Sequence, residues 1–456
     1  MTLSKKYIKS NFSLAWPLAL NALLMQSMLL IDTFLVSPLG EESVAAMGVA
    51  TTIVAFVLGI QMALANGTQM ILSRAFGSGR PTSLSNAYFG GLVIAISFAA
   101  VFMSLILIFG SELIAMIVDS ESLISQAKSY LNFSVYIILF TAVTQTIITL
   151  FNSTGKTSVP FKGYLIELPI NCALSYMFIY QFDMGVSGAA LGSLSAIMLR
   201  TSYLIYSVVS DDHISLKIPD DIRVFVNTTR HHLHEILPFA ANITILAIGV
   251  TIYQLMFSQL NINEYVAITL LYPWIRTGSQ FITSWSHASA ILISQKIGAS
   301  KLEDLKESVD TSIDVAVGIS SVSCLFFLCL HYTFSYIYPD LTTETYLAMS
   351  LIAPLYILLP LIRGYNTVHG NILRAVGKTK SVFKINFIGQ WIVSLPLLAI
   401  IIFLFDGSIF WAFAIQPFEE LIKALPFRIL ARKTVLEFDM EMAKKMDYDS
   451  FSEHKY

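Results

Sequence analysis

Apolar residues along this chain come in long blocks rather than in short alternating runs. A helix that crosses a bilayer needs about 20 mostly apolar residues. Blocks of that kind recur at 14–37, 45–73, 87–110, 126–151, 163–182, 187–209, 235–259, 264–294, 308–332, 345–373, 384–405 and 408–430. Pro17, Pro169, Pro238, Pro273, Pro354, Pro360 and Pro396 lie inside them, which membrane helices tolerate where neighbours satisfy the freed backbone groups. Strand-length segments of alternating polarity, the mark of a membrane barrel, are not seen. The pattern predicts an all-α integral membrane protein with twelve transmembrane helices.

Composition narrows the class. Of 456 residues, 55% are hydrophobic and 13% charged, with mean hydropathy +0.69. Soluble domains carry about 25% charged residues. The net charge of -2 offers no basic footprint, so no nucleic-acid partner is expected. Cys172, Cys324 and Cys329 are odd in number and lie in apolar runs, as small packing residues do. The first block is longer than a signal h-region and contains Asp32, so it is not expected to be cleaved.

Basic residues orient the chain. All 28 except Lys128, Arg276, Arg363 and Lys423 fall on segments that share a side with the N-terminus, from Lys5 to Lys455. By the positive-inside rule that side is the cytoplasm, and both termini are expected there. Glu41, Glu42, Glu112, Asp119, Glu121, Asp183, Glu264, Asp340 and Glu344 collect outside. Residues 1–13 read as a surface amphipathic segment and 431–456 as a charged tail.

The chain also repeats itself. The segment 210–234 separates six blocks (14–209) from six (235–430). LAWPLALNALL around Pro17 matches HEILPFAANIT around Pro238, SRAFGSGR at 73–80 matches SQKIGASK at 294–301, and NSTGKT at 152–157 matches RAVGKT at 374–379. The offset is about 221 throughout, and halves with an even number of spans keep their orientation. Two parallel six-helix lobes are a transporter arrangement, with alternating access by rocking of the halves.

AWPLALNALLMQSMLLIDTFLVSPLG at 15–40 and ANGTQMILSRAFGSG at 65–79 closely resemble the multidrug and toxic compound extrusion (MATE) family. STGKTSVPF at 153–161, GVSGAALGS at 185–193 and LRAVGKTKSVF at 373–383 extend the resemblance. It covers essentially the whole chain and is nearest the branch named after DNA-damage-inducible protein F. The resemblance implies cation-driven efflux of organic molecules across the inner membrane, with a first-span acid carrying proton coupling. Asp32 matches that acid, Pro17 the proline at which the first span bends, and Asn171 and Ser193 the amide and hydroxyl beside it. Ser175 stands where an Asp is usual, so the first lobe has lost a second carboxylate.

Physical chemistry points to Asp32 as well, because an ionisable group within a span is costly and a functional candidate by default. Asn21, Met25 and Met28 share its helical face and, with Arg276, Arg363 and His369, are candidates for a substrate cavity. Asp310 and Asp314 are available to neutralise an arginine, and Glu419 pairs with Lys423 at i,i+4. Glu167 is available to stand in for the missing acid. His231, His232 and His234 cluster without cysteines, and no metal site is expected. No P-loop or nucleophile–base pair is present, so neither an enzyme nor a cofactor is expected.

The predicted function is a proton-coupled exporter of small organic compounds, acting as a monomer in the lipid bilayer, with sodium coupling open. A dedicated exporter of one anionic or zwitterionic metabolite, a flippase of lipid-linked sugars and an uncoupled channel are the alternatives.

Overall fold

The computed structural model describes residues 4–118, 120–212, 214–339, 341–405 and 407–448, except for the Leu29 side chain. Asp119, Asp340, Lys455 and the tail beyond Tyr448 lie outside them. The described residues form α1 (Lys5–Val36), α2 (Glu41–Gly77), α3 (Pro81–Ile117), α4 (Glu121–Ser153), α5 (Ser158–Tyr176) and α6 (Val186–Val209). The second half forms α7 (Ile222–Phe257), α8 (Ile262–Gly278), α9 (Gln280–Gly298), α10 (Leu305–Ile337), α11 (Thr343–Leu351), α12 (Ala353–Ala375), α13 (Thr379–Phe387), α14 (Leu395–Phe403), α15 (Ile409–Glu437) and α16 (Met440–Lys445). The protein is an all-helical membrane protein of twelve spans in two lobes. Spans eight, ten and eleven each comprise two helices. Eight of the twelve are individually long and apolar enough to cross a bilayer, and α11 with α12, bent by 42°, forms a ninth.

Several elements differ from the sequence expectation. From Lys5 onward the segment expected at 1–13 belongs to α1, which runs unbroken through Pro17. The connecting segment 210–234 is irregular only to Asp221 and then joins α7. The block 264–294 is two helices, parted at Ser279. Spans five and eleven contain π-helical turns at 177–181 and 388–394, an irregularity that often accompanies function.

Packing divides the chain at places that the two sequence halves do not show. One compact unit holds the described residues up to Ala19 together with Ala241–Met446. The other holds Leu20–Ala240 with Asp447 and Tyr448. Thus α1 and α7 each change unit within the helix, two residues after Pro17 and after Pro238.

The seats of the exchanged halves match. In one unit Asn11 Nδ2 donates to Ser289 Oγ at 2.7 Å. In the other, His232 Nε2 and Thr68 Oγ1 share a hydrogen bond of 3.1 Å. Asn11 and His232, like Thr68 and Ser289, are separated by the repeat offset. Tyr7 adds a 2.6 Å hydrogen bond to Ser312, and Arg74 pairs with Glu235.

The repeat also governs turns. Gly155 has φ +85° and Gly377 φ +78°, a left-handed conformation that favours glycine. Lys156 N–H donates to the Phe151 carbonyl at 2.8 Å, and Lys378 N–H to that of Leu373 at 2.8 Å. Both are Schellman caps, which satisfy carbonyls left free at a helix end. Each lobe has its own apolar core, around Met47, Ile114 and Ile138 in the first and Phe257, Phe327, Tyr356 and Phe413 in the second.

Candidate functional site

Asp32 lies in the last turns of α1, where its side chain is buried at 7% exposure. Ser193 Oγ of α6 donates to Asp32 Oδ2 at 2.8 Å. Asn171 Nδ2 of α5 donates to the same Ser193 Oγ at 2.8 Å. The chain Asn171–Ser193–Asp32 therefore fixes one carboxylate oxygen. Asp32 Oδ1, Asn171 Oδ1, Asn21 Oδ1 and Ser175 Oγ are buried without a hydrogen-bond partner. Such groups are expensive to leave unsatisfied. Asn171 meets the acid through Ser193 and Ser175 is one turn along α5 from Asn171, whereas Asn21 lies about three turns away along α1.

The local fold explains how these residues meet. Gly188 and Gly192, four apart on α6, let span five approach at backbone distance, Gly188 facing its π-helical turn and Gly192 facing α5, as small residues do in membrane helix pairs. A Cβ on Gly192 would lie 2.3 Å from Ser175 Oγ and 2.6 Å from Ser175 Cα. That contact places Ser193, the next residue, opposite Asn171. It also leaves little volume for a side chain larger than serine at 175.

The ionised form of Asp32 has little to hold it. Its hydrogen-bonded partner is a neutral hydroxyl, Asp32 is in no ion pair among the described residues, and a carboxylate near a helix C-terminus opposes the helix dipole. Tyr130 of α4, itself buried, lies within electrostatic reach of the acid. Glu167 is not available as a second free acid: it pairs with Arg200, both side chains nearly fully buried. Arg200, counted above with the inner loops, belongs inside the first lobe, stacked 4.2 Å from the Tyr164 ring centroid.

Asn171→Ala and Ser193→Ala are each expected to slow transport by about tenfold without abolishing it, the scale of one lost hydrogen bond to a charged group. Initial efflux rates from proteoliposomes check this. Silence of both variants would show that the chain does not position Asp32.

The other sequence-selected residues are dispersed. On α1, Asn21 is buried, Met28 half-buried and Met25 exposed. Arg276 is exposed in the last turn of α8, where the helix dipole favours a cation, and makes no hydrogen bond or ion pair with the described residues. The span that would have carried it on to 294 is broken three residues later. Arg363 is half-buried, its Nε 3.6 Å from Glu420 Oε1. Neither Asp310 nor Asp314 neutralises an arginine among the described residues. His369 is buried, its Nδ1 2.7 Å from the Tyr365 carbonyl. An open groove of about 500 Å³ beside α12 and α15 is lined by Leu361, Tyr365, Leu421, Leu425 and Arg428, and no acid lines it.

Sequence reasoning gave the Glu419–Lys423 pair and a salt-bridge network around the arginines, but not the full set of partners in the second lobe's polar core. Glu419 and Glu420 are bound to Lys423, Tyr253, Asn366 and Arg363. Two signals were legible: Tyr253 stands 221 residues after Asp32, and Gln416, Glu419, Glu420 and Lys423 fall on one face of α15.

The MatE family model matches residues 17–177 and 238–400. An uncharacterized transporter, YisQ, of Bacillus subtilis is 26% identical over 85% of this chain and 86% of its own length. Multidrug resistance protein MdtK of Edwardsiella ictaluri is 23% identical, over 85% and 86%. The crystal structure of the Vibrio cholerae MATE transporter VcmN in its bent form superposes with a TM-score of 0.84 at 18% identity, covering 96% of this chain and all of that one. Matched by one family model in both of its halves, the chain belongs to the multidrug and toxic compound extrusion (MatE) family of membrane transporters.

Proposed function

We propose that this protein is a proton-coupled antiporter that exports small organic compounds across the inner membrane by alternating access, both termini lying in the cytoplasm. The observation that carries this reading is Asp32: a buried carboxylate with one oxygen held by a neutral hydroxyl, the other without a partner, and no ion pair among the described residues. Such a group exists comfortably in its neutral form and gains charge only where water or a substrate cation reaches it. A proton loaded from outside neutralises it; loss of that proton inside creates a charged site. Exchange then drives substrate outward with about 2.3 kcal/mol per 100 mV for each charge moved.

Coupling also requires that protonation favour one conformation of the lobe over another. Pro17 is the proposed hinge. It removes a helix hydrogen bond, and α1 passes from one packing unit to the other two residues later. The names of the relatives, multidrug resistance proteins among them, support organic compounds as the substrate class. The concentration of Lys and Arg on the N-terminal side supports the orientation.

Proteoliposomes with an imposed pH gradient test the reading. Adding substrate is expected to dissipate the gradient, equally well when choline replaces sodium. Transport indifferent to the pH gradient, or strictly dependent on sodium, would contradict it. A second reading, export of an anionic or zwitterionic metabolite, is favoured by the exposed Arg276, since a guanidinium grips carboxylates bidentately. Arg276→Gln then loses anionic substrates selectively.

A further inference from the structure

We propose that Lys423 is a tethered cation: its ammonium permanently fills, in the second lobe, a site that a free monovalent cation would otherwise take, so that this lobe exchanges no ion during transport.

The site has the chemistry of a cation cage. Lys423 Nζ donates to Glu419 Oε1 at 2.8 Å and to Glu420 Oε1 at 3.2 Å. The outer carboxylate oxygens are occupied in turn, Glu419 Oε2 by the Tyr253 hydroxyl at 2.6 Å and Glu420 Oε2 by Asn366 Nδ2 at 2.7 Å. Lys423, Glu419 and Glu420 are all under 9% exposed. With Arg363 at 3.6 Å from Glu420, two acids meet two bases and the cluster is neutral, the condition under which charges persist in a buried site.

The backbone is shaped around the lysine. A Cβ on Gly389, in the π-helical turn of span eleven, would lie 2.8 Å from Lys423 Cγ and 2.9 Å from Cδ. A residue with a side chain there would push the stem out of its channel. The repeat sharpens the contrast. The offset that carries Pro17 to Pro238 carries Asp32 to Tyr253. Thus the first lobe presents one acid with an unpartnered oxygen, while at the same place the second presents a tyrosine already donating to an acid that holds its own cation. This inference does not depend on which ion Asp32 couples.

The test uses the full-length protein in detergent, with thermal unfolding followed at constant ionic strength in choline, sodium, potassium or n-propylammonium chloride. Propylammonium replaces the atoms that Lys423→Ala deletes. The wild type and Asp32→Asn are expected to unfold at the same temperature in all four salts. Lys423→Ala is expected to unfold earlier in choline and to recover saturably in propylammonium, less so in sodium or potassium. Should that variant accumulate only when propylammonium is supplied, the conclusion is the same. A Lys423→Ala protein indifferent to every cation would overturn the proposal. If it does not fold in any salt, the other arm decides: saturable stabilisation of Asp32→Asn by sodium or potassium would show that the second lobe binds a free cation, and its absence that it does not. A sodium effect confined to the wild type and lost in Asp32→Asn would count against proton coupling at Asp32 and leave the lysine assignment standing.

Discussion

Replacement of Asp32 by asparagine is expected to reduce efflux driven by a pH gradient to the level of empty liposomes, while the protein stays folded and in the membrane. Asparagine keeps the volume of the side chain and an oxygen that can accept from Ser193 Oγ, now 2.8 Å from the acid. It cannot gain or lose the charge that coupling requires. Stability should hold or rise, because a neutral amide replaces a carboxylate whose ionised form is costly at this depth. Thermal unfolding and reconstitution yield check the second half of the statement. Accumulation by this variant against a concentration gradient would remove Asp32 from the mechanism.

The next largest effect is expected from Arg200→Ala. Its guanidinium and Glu167 are nearly fully buried and paired, its stem lies 3.3 Å from where a Cβ on Gly163 would be, and its head stacks on Tyr164. Removing one partner leaves an uncompensated buried charge, a loss of about 3–5 kcal/mol. Replacing both, as Glu167→Leu with Arg200→Leu, removes the charge with its desolvation penalty and is expected to be nearly neutral. Unfolding midpoints of the single and double variants in micelles check this. If the double variant is as unstable as the single one, packing rather than charge explains the loss. Proton-driven transport is expected to survive in the double variant, because the coupling proposed for Asp32 does not involve the pair.

Much of the architecture was readable in the sequence because a membrane span announces itself by its length of apolar residues. The repeat was readable because both lobes use the same caps, Gly155 and Gly377, and the same prolines. Asp32 stood out because an acid within an apolar block has no cheap explanation. What escaped depends on partners. The hydrophobic pattern says that α1 is buried but not by what, so the change of unit after Ala19 has no sequence signature of its own. Arg200 was counted with the inner segments although it lies well inside the block 187–209, and nothing in the pattern names its partner. Its partner Glu167 is 33 residues away on another helix. The break at Ser279 sits where packing is close: a Cβ on the neighbouring Gly278 would come within 2.7 Å of the Phe327 ring, so there is no room for one. No periodicity reports that contact. Glu419 and Lys423 were seen as a pair along one helix, while Tyr253, Asn366 and Arg363 joined them only through the tertiary fold.

The claim at the centre of the account is that substrate and proton compete through one carboxylate. Proton release answers it directly. Purified protein in lightly buffered detergent is titrated with a transported substrate while a pH dye records protons liberated. The account predicts release that saturates with substrate at no more than one proton per molecule from the wild type, and none from Asp32→Asn although it still binds. Equal release from both proteins, or substrate binding by the wild type with no proton released between mildly acidic and neutral pH, would contradict it.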